Sequence, residues 1–125
     1  MEQKVCLDTD ACIEVINDSL NCKTIINKIQ SKEVFVSSIT VFELYLRETN
    51  LDKVDNLLDK FNVLNFDENT AKIASEVSKN LKKSGLLIEF RDIFIAATCI
   101  KNKCSLVTLN KKHFERIKEL EILDI

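Results

Sequence analysis

The stretch Lys4-Val5-Cys6-Leu7-Asp8-Thr9-Asp10 decides the fold that we expect for this chain. Its three consecutive apolar residues form a short β-strand that ends in two carboxylates, and a helical spacing begins at Ala11. The carboxyl end of a buried parallel strand is where α/β proteins bind their ligands. Asp8 and Asp10 therefore predict both an α/β fold and a functional site at the strand ends.

Short apolar runs and helical patterns alternate along the rest of the chain. Four more runs predict strands, at 34–36, 63–66, 105–108 and 122–123, and helical spacings occupy the segments between them. Such alternation implies a parallel sheet with right-handed crossovers and helices on both of its faces. We predict a mostly parallel sheet of about five strands in a single domain that spans residues 1–125.

Composition excludes several classes of protein. Of the 125 residues, 46% are hydrophobic and 30% are charged, which is typical of a folded globular domain. Proline is absent and Gly85 is the only glycine, so we expect neither a turn-rich all-β fold nor a glycine-rich phosphate loop. The longest uncharged apolar stretch, 93–100, is far shorter than the about 20 residues that cross a bilayer. We therefore expect no membrane span, and the early charges argue against a signal peptide.

The cysteines and the net charge bear on compartment and partners. The five cysteines fall mostly in apolar patterns, and we interpret them as reduced core residues of a cytoplasmic protein. There is no Cys-x-x-Cys pair and His113 is the only histidine, so we expect no zinc site. The net charge of −2 neither supports nor excludes a nucleic-acid partner.

Four acids and two polar residues are placed where they could form one site. Two of the acids follow the first strand, one lies just inside the helix after the second strand, and one opens the helix that leads into the fourth strand. All strand exits of a parallel sheet share one edge, so these side chains should lie toward that edge. The residues expected there are Asp8, Asp10, Glu43, Asp92, Thr108 and Asn110.

Carboxylates that cluster in this way repel one another, and the repulsion must be relieved. Two of them about 5 Å apart repel by roughly 3 kcal/mol at an effective dielectric constant of about 20. A cluster therefore raises its pKa values or binds a cation. Oxygen ligands without histidine or thiolate suit Mg²⁺ or Mn²⁺, which also hold phosphate oxygens. Such an ion readies a water for attack and stabilises the charge on a leaving oxygen.

Each acid also has a purely structural interpretation. Glu43 completes a capping box with Thr40. Asp92 suits the positive end of a helix dipole, and Asp10 is a good N-cap for the first helix. Asp8 is harder to explain in this way, because it ends an apolar strand and Asp10 already supplies a cap.

Three stretches that together contain these four acids, 5–13, 36–44 and 91–98, are followed by the tail 106–114. In this order and spacing they resemble the PIN-domain ribonucleases, and most of all the VapC toxins of toxin–antitoxin pairs. The resemblance implies a three-layer α/β/α fold that hydrolyses RNA phosphodiester bonds with Mg²⁺ or Mn²⁺. It makes Asp8, Glu43 and Asp92 the catalytic residues and metal ligands, with Thr108 as a supporting hydroxyl.

The tail departs from the pattern of that family. The family often places a fourth acid there, where this chain has Asn110 and His113. Asn110 still offers an oxygen without charge, and Asp10 restores some of the missing charge. For His113 itself we predict a place on the helix surface rather than contact with RNA.

The resemblance also implies an RNA substrate, a homodimer and an antitoxin that occludes the acidic pocket. Positive charge is concentrated near the C-terminus and predicts contact with phosphates. The candidates for RNA binding are Arg91, at the mouth of the site, with Lys111 and Lys112. The candidates for contact with protein partners are Val41, Leu44, Tyr45 and the helix that begins at Leu51.

Three other functions compete with a ribonuclease. Asp8-Thr9-Asp10 has the Asp-x-Asp spacing of haloacid-dehalogenase-like phosphotransferases, in which the first Asp is the nucleophile, although that family also needs a later lysine and an acidic pair. A receiver domain has paired acids after its first strand, but this chain offers no matching lysine. A non-catalytic PIN-like module that binds RNA or a protein is the third alternative, because Asn110 replaces a tail carboxylate.

Overall fold

Five strands and seven helices form over residues 3–125, which are the residues that the structure, a computed structural model, describes. Two helices separate each of the first three pairs of consecutive strands, and one short helix precedes the last strand. In chain order the elements are β1 (Lys4–Leu7), α1 (Thr9–Ile16), α2 (Cys22–Ile29), β2 (Glu33–Ser37), α3 (Ser38–Leu46), α4 (Leu51–Lys60), β3 (Asn62–Leu64), α5 (Glu68–Lys83), α6 (Phe90–Asn102), β4 (Ser105–Thr108), α7 (Lys111–Phe114) and β5 (Ile122–Asp124).

The strands form one sheet in the order β3-β2-β1-β4-β5, and every neighbouring pair is parallel. The first strand of the chain is thus the central strand of the sheet. Leu7 of β1 pairs with Val36 of β2 and with Val107 of β4, so the carboxyl ends of these three strands lie side by side. The predicted parallel sheet of about five strands is confirmed.

Helices cover both faces of this sheet. Successive side chains of a strand point to opposite faces, and β1 shows this directly. Cys6 packs in a core cluster with residues of α5 and α6. Val5 and Leu7 pack in a second cluster with residues of α1, α2, α3 and α4. The predicted three-layer α/β/α arrangement is therefore present, with one apolar core on each side of the sheet.

The ends of the helices agree only partly with the sequence patterns. The Asp67 carboxylate caps α5 by accepting a hydrogen bond from the Thr70 N–H at 2.9 Å. Gly85 follows that helix with a φ of 72°, a left-handed conformation that glycine adopts without strain. The next helix, α6, begins at Phe90 rather than at Asp92, because the carbonyl of Glu89 already accepts hydrogen bonds from the first turn.

The structure also gives the state of the cysteines and the lengths of the helices. All five cysteines are free, and four of them are buried in the two cores, whereas Cys22 is partly exposed. No helix within residues 3–125 combines the length and the apolar character needed to cross a bilayer.

Candidate active site

The carboxyl ends of β1, β2 and β4 and the first turn of α6 surround a small polar pocket. The pocket has a volume of about 70 Å³. It contains four of the acids that the sequence analysis placed at this edge. The residues that line it are Asp8, Thr9, Asp10, Glu43, Asp92, Ile95, Asn110 and Phe114.

Asp8 is the most deeply buried acid of the pocket, with 5% of its surface exposed. One carboxylate oxygen accepts a hydrogen bond from the Ala11 N–H at 2.8 Å, so Asp8 is the N-cap of α1. The other accepts a hydrogen bond from the Thr108 hydroxyl at 2.6 Å. Thr108 is the last residue of β4, the strand that pairs with β1, so the sheet itself positions this contact.

Burial and repulsion both act on the charge of Asp8. The pKa of Asp8 is raised from 3.8 to about 6, mainly by burial and also by the negative charges of Asp10 and Asp92. The hydrogen bonds from Thr108 and Ala11 act in the opposite direction. The carboxylate is therefore held in place by donors but is poorly compensated in charge.

Glu43 is held in the same pocket from the second turn of α3. Its Oε1 accepts a hydrogen bond from the Thr9 hydroxyl at 2.8 Å, and that hydroxyl lies 3.1 Å from the hydroxyl of the buried Thr40. Its Oε2 lies 3.6 Å from a guanidinium nitrogen of Arg91. Burial raises the pKa of Glu43, against the effects of Thr9 and Arg91.

The structure corrects two capping roles that the sequence suggested. The N-cap of α1 is Asp8, not Asp10, because β1 leads into the helix without an intervening loop. The N-cap of α3 is Ser37, whose hydroxyl accepts a hydrogen bond from the Thr40 N–H at 3.0 Å. Glu43 therefore does not complete a capping box with Thr40, and its carboxylate is directed to Thr9 instead.

Asp92 lies in the first turn of α6 and contacts α7. Its Oδ2 is 2.9 Å from Nε2 of His113. The His113 ring is partly buried and packs edge-on against Phe114, with 5.1 Å between the ring centroids. The predicted helix-surface position of His113 is wrong in this respect, since the fold brings α7 back against the start of α6.

The remaining predicted residues are distributed around the pocket. Asp10 and Asn110 line it, and the Asn110 N–H donates a hydrogen bond to the Thr108 hydroxyl at 2.9 Å. Arg91 pairs with Glu89 at 2.9 Å as well as with Glu43. The side chains proposed to bind RNA from α7, Lys111 and Lys112, are exposed beside the pocket. The catalytic and RNA-binding roles of all these residues stay predictions.

Three side chains that shape the site were missed or misplaced by sequence reasoning. Thr9 joins the start of α1 to α3 through Glu43, Ser37 caps α3, and His113 contacts Asp92. Thr9 and Ser37 each stand at the exit of a strand, which is a signal that the sequence does carry. No comparable signal marks His113, because its contact depends on how two distant helices pack.

The donor set of the pocket is the kind that a hard divalent cation uses. It consists of carboxylate, hydroxyl and amide oxygens, and burial together with repulsion raises the pKa of Asp8. Within residues 3–125, no three Asp, Glu, His or Cys side chains already stand together as ligands for one ion. This arrangement suits Mg²⁺, which keeps several waters and is commonly held by one or two carboxylates together with substrate phosphates.

An acidic pocket at the carboxyl ends of a parallel sheet, with helices on both faces, defines the chain as an α/β protein built for a cationic ligand. The family model "PIN domain" matches residues 5–120, and the chain belongs to this family. The PIN domain, and not the haloacid-dehalogenase-like alternative, therefore accounts for the Asp8-Thr9-Asp10 motif.

Known relatives are similar along nearly the whole chain. Ribonuclease VapC1 of Methanocaldococcus jannaschii is 31% identical over 126 residues, which cover 98% of this chain and 89% of that protein. A chain in the crystal structure of DNA-bound VapBC from Salmonella typhimurium is 30% identical, with a TM-score of 0.86 and coverage of 99% and 98% of the two chains. VapBC2 from Rickettsia felis, bound to a fragment of promoter DNA, matches with a TM-score of 0.87 and 25% identity, over 98% of this chain and 99% of that one.

Proposed function

We propose that this chain is a metal-dependent endoribonuclease that hydrolyses RNA phosphodiester bonds, and that it is the toxin of a VapBC-type toxin–antitoxin pair. The observation that carries the proposal is the convergence of Asp8, Glu43 and Asp92 on one pocket in a PIN domain. Relatives named ribonuclease VapC support the choice of RNA as the substrate.

The three acids would hold a Mg²⁺ or Mn²⁺ ion. In this proposal Asp8 and Asp92 are direct ligands, and Glu43 binds directly or through a water. When bound, the ion would neutralise phosphate charge and lower the pKa of a water that attacks phosphorus. Attack by water needs neither a covalent enzyme intermediate nor the 2′-hydroxyl of RNA.

The other residues of the pocket orient these groups. The hydroxyl of Thr108 fixes one oxygen of Asp8, and the hydroxyl of Thr9 fixes one oxygen of Glu43. Each of these two donors is uncharged, so it restrains a carboxylate without cancelling the charge that attracts a cation. Asp10 or Glu43 would orient the attacking water, and Asn110 would contribute an oxygen or hold a further water.

Basic residues beside the pocket would contact the phosphates of the RNA. We assign this role to Arg91, Lys111 and Lys112, so RNA binding should weaken as salt rises. Lys101 is less suited to it, because its ammonium group lies 2.9 Å from the carboxylate of Asp67, which does not line the pocket.

An antitoxin and a second copy of the chain are the protein partners that we propose. Solved relatives are described as VapBC complexes, some of them bound to DNA. Large apolar side chains are exposed on α3 and at the start of α4, which is typical of a protein contact surface. They are Phe42, Tyr45, Leu46 and Leu51, whereas Leu44 is fully buried and belongs to the core. We place the protein in the cytoplasm, where its free thiols stay reduced.

The test of this function is metal-dependent cleavage of RNA by the wild type and by Asp8→Asn. We expect the wild type to cleave single-stranded RNA with Mn²⁺ and to be inactive with EDTA. Asp8→Asn should lose cleavage and keep its circular dichroism spectrum, because the substitution removes a charge and preserves the shape of the side chain. The matched control is Asp59→Asn, an exposed acid on α4, which should cleave at the wild-type rate.

Two outcomes would contradict the proposal. Cleavage of RNA by Asp8→Asn at the wild-type rate would contradict the role of Asp8 as a metal ligand. A wild-type protein that binds Mn²⁺ by calorimetry but cleaves no RNA would favour the non-catalytic PIN-like module instead.

A further inference from the structure

We propose that His113 is a positioning residue for Asp92, which it holds in the orientation that receives the divalent ion. The inference rests on the proposed metal-dependent function. It concerns a residue of the tail that the proposed reaction does not otherwise use.

The contact between the two side chains is direct and comes from two separate elements. His113 Nε2 on α7 lies 2.9 Å from Asp92 Oδ2 on α6. A carboxylate oxygen accepts a hydrogen bond from an imidazole N–H, so Nε2 donates to Asp92 in the tautomer that places the proton on Nε2. The contact engages one oxygen of Asp92, a residue that lines the pocket.

The imidazole ring is itself held in place. The backbone N–H of His113 donates to the Asn110 carbonyl at 3.1 Å in the first turn of α7. The edge of the ring packs against Phe114, which is buried and lines the pocket. Rotation of the ring would lose this packing, so the donor is presented to Asp92 from a fixed direction.

His113 completes a pattern that the other two acids already show. Asp8 accepts a hydrogen bond from Thr108 and Glu43 accepts one from Thr9. The imidazole of His113 supplies such a contact for Asp92. Without it, the carboxylate of Asp92 would lose this restraint, and the free-energy cost of fixing the carboxylate would fall on the binding of the ion.

Residue 113 lies so close to Asp92 that the charge of its side chain affects the pocket. A carboxylate at this place would meet Asp92 as a like charge and would need an ion between the two groups. An imidazole at this place adds no negative charge to the pocket and can orient Asp92 by a hydrogen bond. Groups that orient metal ligands in this way typically contribute about 10- to 100-fold to metal affinity.

The experiment compares two substitutions of similar size that differ in the donor. His113→Gln can place an amide N–H near the position of Nε2, whereas His113→Leu fills the same space without a donor. Binding of Mn²⁺ alone to the full chain is measured by calorimetry, and the melting temperature of the metal-free protein is recorded. We expect His113→Leu to lower the Mn²⁺ affinity by about 10- to 100-fold, and His113→Gln to keep most of it. Glu115→Ala, an exposed substitution at the end of α7, is the control and should bind as the wild type does.

The outcomes separate this inference from the function on which it rests. A wild type that binds no Mn²⁺ would overturn the proposed metal site. A wild type and a His113→Leu variant with equal affinities would overturn the role of His113 alone. The role of His113 would also be contradicted if His113→Gln bound Mn²⁺ as weakly as His113→Leu, because the two variants differ mainly in the hydrogen bond to Asp92.

Discussion

Asp8 is a buried carboxylate that shares its pocket with Asp10, Glu43 and Asp92. Its pKa is raised to about 6 by burial first and by neighbouring charge second. A group that is charged at neutral pH in such surroundings lowers the free energy of unfolding. The residue that we assign to metal binding is therefore also a place where the fold loses stability.

Asp8→Asn should stabilise the metal-free protein at pH 7 while it removes activity. A shift from 3.8 to about 6 corresponds to about 3 kcal/mol at most, part of which the altered hydrogen bonds to Thr108 and Ala11 would offset. We expect a gain of about 1–3 kcal/mol in the free energy of unfolding. Urea denaturation of the wild type and of Asp8→Asn, both in EDTA, measures this difference in the free energy of unfolding.

The gain should depend on pH in a defined direction. Between about pH 4 and pH 6 the folded protein keeps a proton on Asp8 that the unfolded chain has released, so the wild type loses stability as pH rises through this range. The difference between Asp8→Asn and the wild type should therefore grow from pH 4 to pH 6 and then level off. A difference that shrinks with rising pH would contradict the burial of the charge.

At the scale of secondary-structure elements, the site depends on strands that turn directly into helices. Ser37 is the last residue of β2 and also the N-cap of α3, just as Asp8 follows β1 and caps α1. Helix N-termini are thereby fixed at the edge of the sheet, and Glu43 reaches the pocket from the second turn of α3.

Ser37→Ala should test this connection. The Ser37 hydroxyl is fully buried and accepts the Thr40 N–H, so its loss leaves a helix donor unpaired. We expect the free energy of unfolding to fall by about 1–2 kcal/mol. Ser75→Ala, an exposed serine within α5, is the matched control and should change stability little, and equal losses in the two variants would contradict the capping role.

Sequence reasoning located the acids of the site but not the groups that orient them. Strand exits can be recognised from short apolar runs that end in polar residues, and Asp8 and Glu43 were found in this way. The cap of α3 could not be chosen, because Ser37, Ser38 and Thr40 are all capable of capping and adjoin one another. The contact of His113 with Asp92 depends on the packing of α7 against α6, which periodicity within one element does not reveal.

At the scale of the whole molecule, the two cores account for the cysteines. Cys6, Cys12, Cys99 and Cys104 are nearly or fully buried, and only Cys22 is partly exposed within the described part of the chain. The thiols were correctly predicted to be core residues from their apolar neighbours. The single exception lies at the start of α2, where the chain passes over the surface.

A thiol reagent should distinguish these positions. We expect one of the five cysteines to react with Ellman's reagent in the native protein and all five to react in denaturant. Burial raises the pKa of Cys22, so its reaction should be slow near neutral pH. Cys22→Ser should abolish the native reaction, and rapid reaction of several thiols would contradict the packing of the cores.

The hydrogen bond between Thr108 and Asp8 joins residues 100 positions apart in the chain. Loops of this length close slowly in comparison with the local contacts of a helix. During synthesis, β1 therefore lacks one of its two neighbouring strands until β4 has left the ribosome. Each nascent chain is therefore without its complete acidic pocket until the segment that contains Thr108 has been synthesised.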